Sequence, residues 1–374
     1  MKTKKRLRCF SLSLIMPIIL AGCAATENFT NQNTDATSNG SAPYEESTEG
    51  VTVTPTAEIT TLEDGISVVR YNGEDGFEDF LAEGGASSDG EVVSYLAENL
   101  LSGLDLGDIV GSIFGCSTIA SENQAGETLF GRNFDWENCE AMIVASYPEN
   151  GYASLSTVNM DFITQNVGGT VELVLQMDEV KTLAALYAPL DGMNEAGVAV
   201  SVNMIQDSAT IDQNTEKPDI TTTTAIRLML NQAANVEEAL ELLQQYDMHA
   251  SMGMMVHFAL ADASGRSVAV EYVDNQMIVI ETPVLTNFYL AEGEKHGIGT
   301  QQSHERYEIL MERLAESDTM EMMDIRDALD SVSKDNFEEF ASTEWSAVFN
   351  LSTGEAWYYH RENYDTSYRL QLEK

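Results

Sequence analysis

The chain has 374 residues, 43% of them hydrophobic and 8% aromatic, which is enough apolar material to build a sizeable core. Its 61 acidic and 19 basic residues leave a formal charge of −42. A surface of that sign excludes nucleic acid as a partner, because phosphate binding needs clustered Lys and Arg, and it favours a soluble, self-repelling particle.

The few basic side chains gather at the start, where Lys2, Lys4, Lys5, Arg6 and Arg8 precede an apolar run over residues 10–20. That run is too short to span a bilayer but has the length of a secretory h-region, so residues 1–22 read as a signal peptide. It ends in Leu20-Ala21-Gly22-Cys23, which resembles a bacterial lipobox. Cys23 is therefore expected to be lipidated and to anchor an extracytoplasmic protein to the cell membrane; without lipidation the protein is secreted. Loss of residues 1–22, with five positive charges and no negative one, takes the net charge from −42 to −47. Residues 23–50 are rich in Thr, Ser, Asn, Gly and Glu, bury too little to offset the entropy of ordering, and read as a flexible tether.

The texture changes after residue 50. Strands are predicted at 51–53 and 66–69, and the spacing of Val92, Val93, Leu96 and Leu100 predicts a helix over 91–101. This small unit, residues 51–115, ends in an apolar stretch just before Gly115-Cys116-Ser117-Thr118. Beyond it, strands are predicted at 128–134 and 197–202 and two helices within 221–248, the second capped by Asn235 with Glu238 three residues on. Hairpins are predicted for 256–260 with 267–272, around Asp262-Ala263-Ser264-Gly265, and for 345–349 with 356–359. Further helices cover 307–316 and 322–332. Strands in pairs and helices in pairs, without regular βαβ alternation, imply a layered α+β domain.

The densest chemistry lies at Cys116, followed by Arg132 and Asp135. A thiolate nucleophile needs a base or a positive field nearby. The five histidines, at 249, 257, 296, 304 and 360, stand in no Cys-His signature, and no G-x-S-x-G elbow, HExxH, Walker loop or paired CxxC is present. Cutting the Gly115–Cys116 bond supplies a base of another kind. The new α-amine has an ordinary pKa of about 7.7 to 8 and is carried by the nucleophile's own residue.

Gly115-Cys116-Ser117-Thr118, then Gly131-Arg132-Asn133-Phe134-Asp135-Trp136, Asp191-Gly192-Met193-Asn194-Glu195-Ala196-Gly197 running on to Asn203, Leu285-Thr286-Asn287, and Ser303-His304-Glu305-Arg306 resemble the choloylglycine hydrolase family. These are linear-amide C-N hydrolases with an N-terminal nucleophile, among them bile salt hydrolases and penicillin V acylases. The similarity spans nearly all of residues 116–374. It implies an αββα four-layer sandwich of two antiparallel sheets, and no metal or organic cofactor. Cys116 would attack the amide carbonyl with its own amine as base, Arg132 would favour the thiolate, and Asp135 would accept from the amine. Asn203 and Asn287 would donate toward the oxyanion, and Arg306 would complete the charged network. The expected substrate is a small N-acyl amide with an apolar acyl group.

About ninety residues separate the lipobox from Cys116, so residues 51–115 are expected to be a propeptide and 116–374 the catalytic domain. The short interval from Asn287 to Arg306 lacks room for the oligomerising extension of many relatives, and the oligomeric state stays open. Simpler readings stand beside these. Cys116 could be bridged to Cys139, the other cysteine outside the leader and lipobox. Arg132 and Asp135 could be an ordinary surface ion pair; positions three apart on a straight strand face opposite sides, so their convergence at one site requires a bend near Phe134. Asn203 and Asn287 could cap strands, and Arg306 could be a solvated helix residue. An acyltransferase using the same cysteine and a non-catalytic, lipid-anchored binding protein are the alternative functions.

Overall fold

The structure, a computed structural model, describes residues 49–100, 115–164, 177–334 and 341–373. The predicted leader, Cys23 and nearly all of the tether lie outside the described residues.

The segment before Cys116 gives strands β1 (Glu49–Thr52), β2 (Thr60–Glu63) and β3 (Ile66–Asn72) and helices α1 (Phe77–Ala82) and α2 (Asp89–Tyr95), the last continuing as a π-helical turn, Leu96–Leu100. Next come β4 (Gly115–Glu122), β5 (Thr128–Trp136), β6 (Ala141–Tyr147), β7 (Ser154–Asn159), α3 (Asp161–Thr164), α4 (Asp178–Leu186), β8 (Asp191–Asn194) and β9 (Val198–Met204). The middle of the chain holds β10 (Asp219–Thr221), α5 (Thr222–Gln232), α6 (Val236–Leu243), β11 (Asp247–His249), β12 (Val256–Asp262), β13 (Ser267–Val273), β14 (Gln276–Glu281) and β15 (Val284–Leu285). The rest is α7 (Gln301–Glu316), α8 (Met322–Asp330), β16 (Ser342–Asn350), β17 (Glu355–His360) and β18 (Asn363–Gln371).

Two sheets dominate. One has the order β1-β18-β17-β16-β5-β4-β15, the other β14-β13-β12-β9-β8-β7-β6-β3-β2. Strands such as β5, β7 and β9 are buried along their whole length, because each has one face on the partner sheet and the other under helices. Helices α7 and α8 cover the outer face of the seven-stranded sheet, where Ile119, Leu129 and Val348 meet Leu310, Ile325 and Leu329. Helices α4, α5 and α6 pack on strands of the nine-stranded sheet. The layers are therefore helix, sheet, sheet, helix, an α+β sandwich.

Both predicted hairpins form, as β12–β13 and β16–β17. The region predicted as two helices breaks after Gln232, and its last residues become β11. Asn235 accepts the Glu238 N–H at 3.0 Å, but the Glu238 carboxylate reaches one residue further back than a capping box requires, to the Ala234 N–H at 2.8 Å.

The segment before Cys116 is not a unit apart. Its β1 pairs with β18 and its β3 with β6, and these two pairings are the parallel ones in the two large sheets. Ile66, Val68, Val69, Phe77 and Phe80 belong to the same core as both sheets, and Phe77 and Phe80 meet Tyr187 edge-on. Residues 47–374 form one compact unit.

Candidate active site

Strands β4 and β5 run antiparallel with Cys116 opposite Phe134 and Gly115 opposite Asp135. Side chains alternate along a strand, so Cys116, Arg132 and Phe134 share one face while Gly115, Asn133 and Asp135 share the other. Arg132 faces the second sheet. Its Nε lies 2.5 Å from the Asp191 carboxylate, Nη1 donates to the Val202 carbonyl at 2.9 Å and to Asn203 Oδ1 at 3.1 Å, and Nη2 donates to Cys116 Sγ at 3.5 Å. Asp135 faces the other way, accepting from Arg306 Nη1 at 2.9 Å and the Thr343 hydroxyl at 2.8 Å, with Lys334 Nζ at 3.5 Å. The bend expected at Phe134 is thus not needed. The irregularity in this ladder sits on β16, as a register shift between Thr343 and Trp345, and Arg132 and Asp135 never meet on one face. Cys116 joins the two sides instead: its sulfur lies with Arg132, and its carbonyl accepts Arg306 Nη1 at 3.1 Å.

The Cys116 nitrogen rests on a third residue. Its N–H donates to Asn287 Oδ1 at 2.9 Å, and the same oxygen accepts Arg306 Nη2 at 2.7 Å while Asn287 Nδ2 donates to the Met204 carbonyl at 2.7 Å. These partners settle which end of the amide points where. In the uncut chain Asp135 therefore reaches that nitrogen only through Arg306, rather than by the direct bond expected from the sequence. Asn203 Nδ2 also faces backbone carbonyls, those of Leu285 at 3.3 Å and Thr286 at 3.4 Å. The side-chain donors expected to face an oxyanion are thus occupied by main-chain oxygens in the intact chain. Arg306, on α7, is buried at its place in this network and is not a solvated helix residue. Cys116 and Cys139 are both free and buried, with no disulfide between them.

Electrostatically the sulfur is closed down in this form. Cys116 is completely buried, and its thiol donates to the Val202 carbonyl at 3.6 Å. Burial pushes the thiol above its ordinary range; Arg132 and Arg306 pull it back and Asp135 adds to the rise. Asp191 is also driven up by burial, opposed by Arg132 and by Trp345, whose Nε1 donates to Asp191 Oδ2 at 2.9 Å. Asp191, Thr343, Lys334 and Ser303, whose hydroxyl accepts the Asn287 N–H at 2.6 Å, all belong to the site and were not singled out from the sequence. For Asp191 a signal existed: it opens the DGMNEAG run between apolar strands, and a buried carboxylate requires a cation.

A family model described as linear amide C-N hydrolases, choloylglycine hydrolase family, matches residues 116–294. That segment carries the pattern of the choloylglycine hydrolase family. The matched residues begin at the cysteine described above and include Arg132, Asp135, Asn203 and Asn287; Arg306 lies beyond them, and the fold brings it to the Cys116 carbonyl. The chain is thus a hydrolase of carbon–nitrogen bonds in linear amides, and the family acts on small amide substrates. Among solved structures, a variant of the conjugated bile acid hydrolase from Clostridium perfringens is similar at 18% identity and a TM-score of 0.50, over 69% of this chain and 92% of that one. Penicillin V acylase from Agrobacterium tumefaciens is similar at 18% identity and a TM-score of 0.46, over 66% of this chain and 83% of that one. The first of these likenesses places the two-sheet sandwich among known folds. No curated protein matches the chain.

Proposed function

We propose that the protein is an exported, lipid-anchored amidohydrolase that cuts itself at Gly115–Cys116 and then cleaves a linear N-acyl amide with the freed Cys116. The observation that supports this most is that every reactive atom of Cys116 has its own partner: the sulfur Arg132, the nitrogen Asn287, the carbonyl Arg306.

Scission follows from the chemistry of those atoms. The sulfur adds to the Gly115 carbonyl carbon, and as the C–N bond breaks the thiol proton passes to the Cys116 nitrogen, leaving Gly115 as a thioester on the sulfur. Water then hydrolyses the thioester, which restores the thiol and releases the Gly115 carboxylate. The amine produced sits on the nucleophile's own residue, so proximity costs nothing further. It takes the thiol proton as the sulfur adds to the substrate carbonyl, and returns it to the leaving amine. Arg132 favours the thiolate. Water releases the acyl group from the sulfur in the second half of the cycle.

Denaturing mass spectrometry of the purified protein tests the first step. A chain beginning at Cys116 is expected, and a Cys116→Ala protein is expected to stay in one piece. A chain cut at Gly115 in that variant would assign the cleavage to another protease. Turnover is read on a panel containing a conjugated bile acid, penicillin V and N-acyl amino acids of graded chain length, with an apolar acyl group preferred. Added amine acceptors distinguish hydrolysis from acyl transfer. Lipidation is read as a Cys23-dependent mass and membrane fraction, both lost in Cys23→Ala.

A further inference from the structure

Behind the two asparagines lies a buried acid–base pair that the chemistry at Cys116 does not use. His257 on β12 stands opposite Asn203 on β9, and Glu271 on β13 lies one step beyond the Phe258–Val270 pair of the next ladder. The three side chains form a row across one face of the nine-stranded sheet. His257 and Glu271 are both completely buried. His257 Nδ1 lies 3.1 Å from Glu271 Oε1, and Nε2 lies 2.8 Å from the Thr286 carbonyl oxygen. Glu271 further accepts the N–H groups of Leu290 at 2.8 Å and Ala291 at 2.9 Å. Burial works against the Glu271 charge, but the His257 contact and these two N–H groups hold its carboxyl below the ordinary range. Both ring nitrogens of His257 therefore face acceptors, and each donates when both bonds are made.

The contacts fall on the chain that follows β15, which forms no regular strand or helix from residue 286 to 291 and is largely buried. Buried main-chain groups without a ladder need partners from side chains. Here the carbonyl before Asn287 and two N–H groups after it all find them in one pair, while Asn203, the neighbour of His257 in the row, donates to the same Thr286 carbonyl. The geometry points to His257 and Glu271 as positioning residues that hold residues 286–291 in place and so set Asn287 against the Cys116 nitrogen. This inference rests on the reading of Cys116 as the nucleophile freed by scission.

The test is a double-mutant cycle in the full chain, read as the rate of scission at Gly115 during cell-free synthesis and as kcat and KM on the panel amide that the parent hydrolyses fastest. His257→Gln retains a donor for one acceptor and loses the other. A displacement of about 1 Å at a reacting group can cost roughly 100-fold, so scission and kcat are expected to fall about 10- to 100-fold with KM within about threefold. In the Asn287→Ala background the same change is expected to cost less than about twofold, because the residue through which it acts is gone. Losses that multiply in that background, or a folded His257→Gln protein within twofold of the parent, would overturn the inference. Should His257→Gln fail to fold, Glu271→Gln, equal in volume, is put through the same cycle; failure of both to fold would also overturn it, by making the pair a requirement of the fold and not of the site. A parent that is neither cut nor active defeats the reading of Cys116 instead, so the two failures are distinguishable.

Discussion

Scission at Gly115 is expected to produce two chains that stay together. The piece before the cut supplies β1 to one sheet and β2–β3 to the other, and its release would strip the parallel partner from both β18 and β6. Ile66 is the most direct probe, since it is 1% exposed, lies in the shared core and pairs with Ala141 across the two pieces. Truncation of a buried Ile to Ala costs about 2–5 kcal/mol. At 1.4 kcal/mol per tenfold, Ile66→Ala should raise the concentration at which the cut pieces separate by about 30-fold to several thousand-fold. The assay is gel filtration of the mature protein over a dilution series in native buffer, with each fraction then denatured and weighed. The parent is expected to elute as one particle holding both masses. A parent whose N-terminal piece elutes separately, while the piece from Cys116 keeps its activity and melting temperature, would refute the reasoning and make that piece a dispensable cover.

Three further outcomes follow from the site. Arg132→Met leaves the buried Asp191 carboxylate without its cation, a loss expected to cost about 3–5 kcal/mol in a urea titration; Arg132→Met with Asp191→Asn should recover much of that stability but none of the scission. Gly115→Val should slow scission, because a Cβ at residue 115 comes within 2.6 Å of Lys334 Nζ and 3.0 Å of Asp135 Oδ2; a gel time course equal to the parent's would show that this crowding relaxes freely. The thiol of the uncut chain is raised by burial above the ordinary value of about 8.5, so at neutral pH it is protonated and its thiolate fraction climbs with pH. Scission rates measured between pH 6 and 9.5 should rise throughout, and a plateau below about pH 8 would contradict a thiolate nucleophile.

The local devices of the fold were legible in the sequence and the long-range ones were not. Asp262-Ala263-Ser264-Gly265 specifies a tight turn, and Gly265 does adopt a positive φ of 89° between β12 and β13. Asn235 was legible as a cap because capping is a matter of three neighbouring residues. The parallel pairing of β3 with β6 joins residues more than seventy positions apart, and no local pattern encodes it, so residues 51–115 read as a separate unit. The site divides the same way. Cys116, Arg132, Asp135, Asn203, Asn287 and Arg306 were found from motifs, and the structure gathers all of them around Cys116. Which atom each one serves depends on strand faces and on four more residues: Asp191 and Ser303, which open two of the motifs but have no role assigned by them, and Lys334 and Thr343, which stand in none.

That division of faces bears on how the cysteine can be controlled. Arg132 and its partner Asp191 act on the sulfur from between the sheets, whereas Asp135, Arg306, Thr343 and Lys334 act on the backbone of Cys116 from beneath the helices. A strand one residue thick separates the hydrogen bonds of the two groups, while the charges of Asp135 and Arg306 still reach the sulfur across it. Thr343→Val removes one donor to Asp135 and touches nothing that Arg132 touches. Because the Asp135 carboxylate itself is retained, the effect should fall on the steps in which the Cys116 nitrogen gains or loses a proton, with the thiolate limb of the scission profile displaced by less than in Asp135→Asn, which removes a charge that raises the thiol. A thiolate limb displaced as far in Thr343→Val as in Asp135→Asn would mean that the Thr343 hydrogen bond, and not the Asp135 charge, governs the sulfur, and the division of roles between the two faces would have to be abandoned.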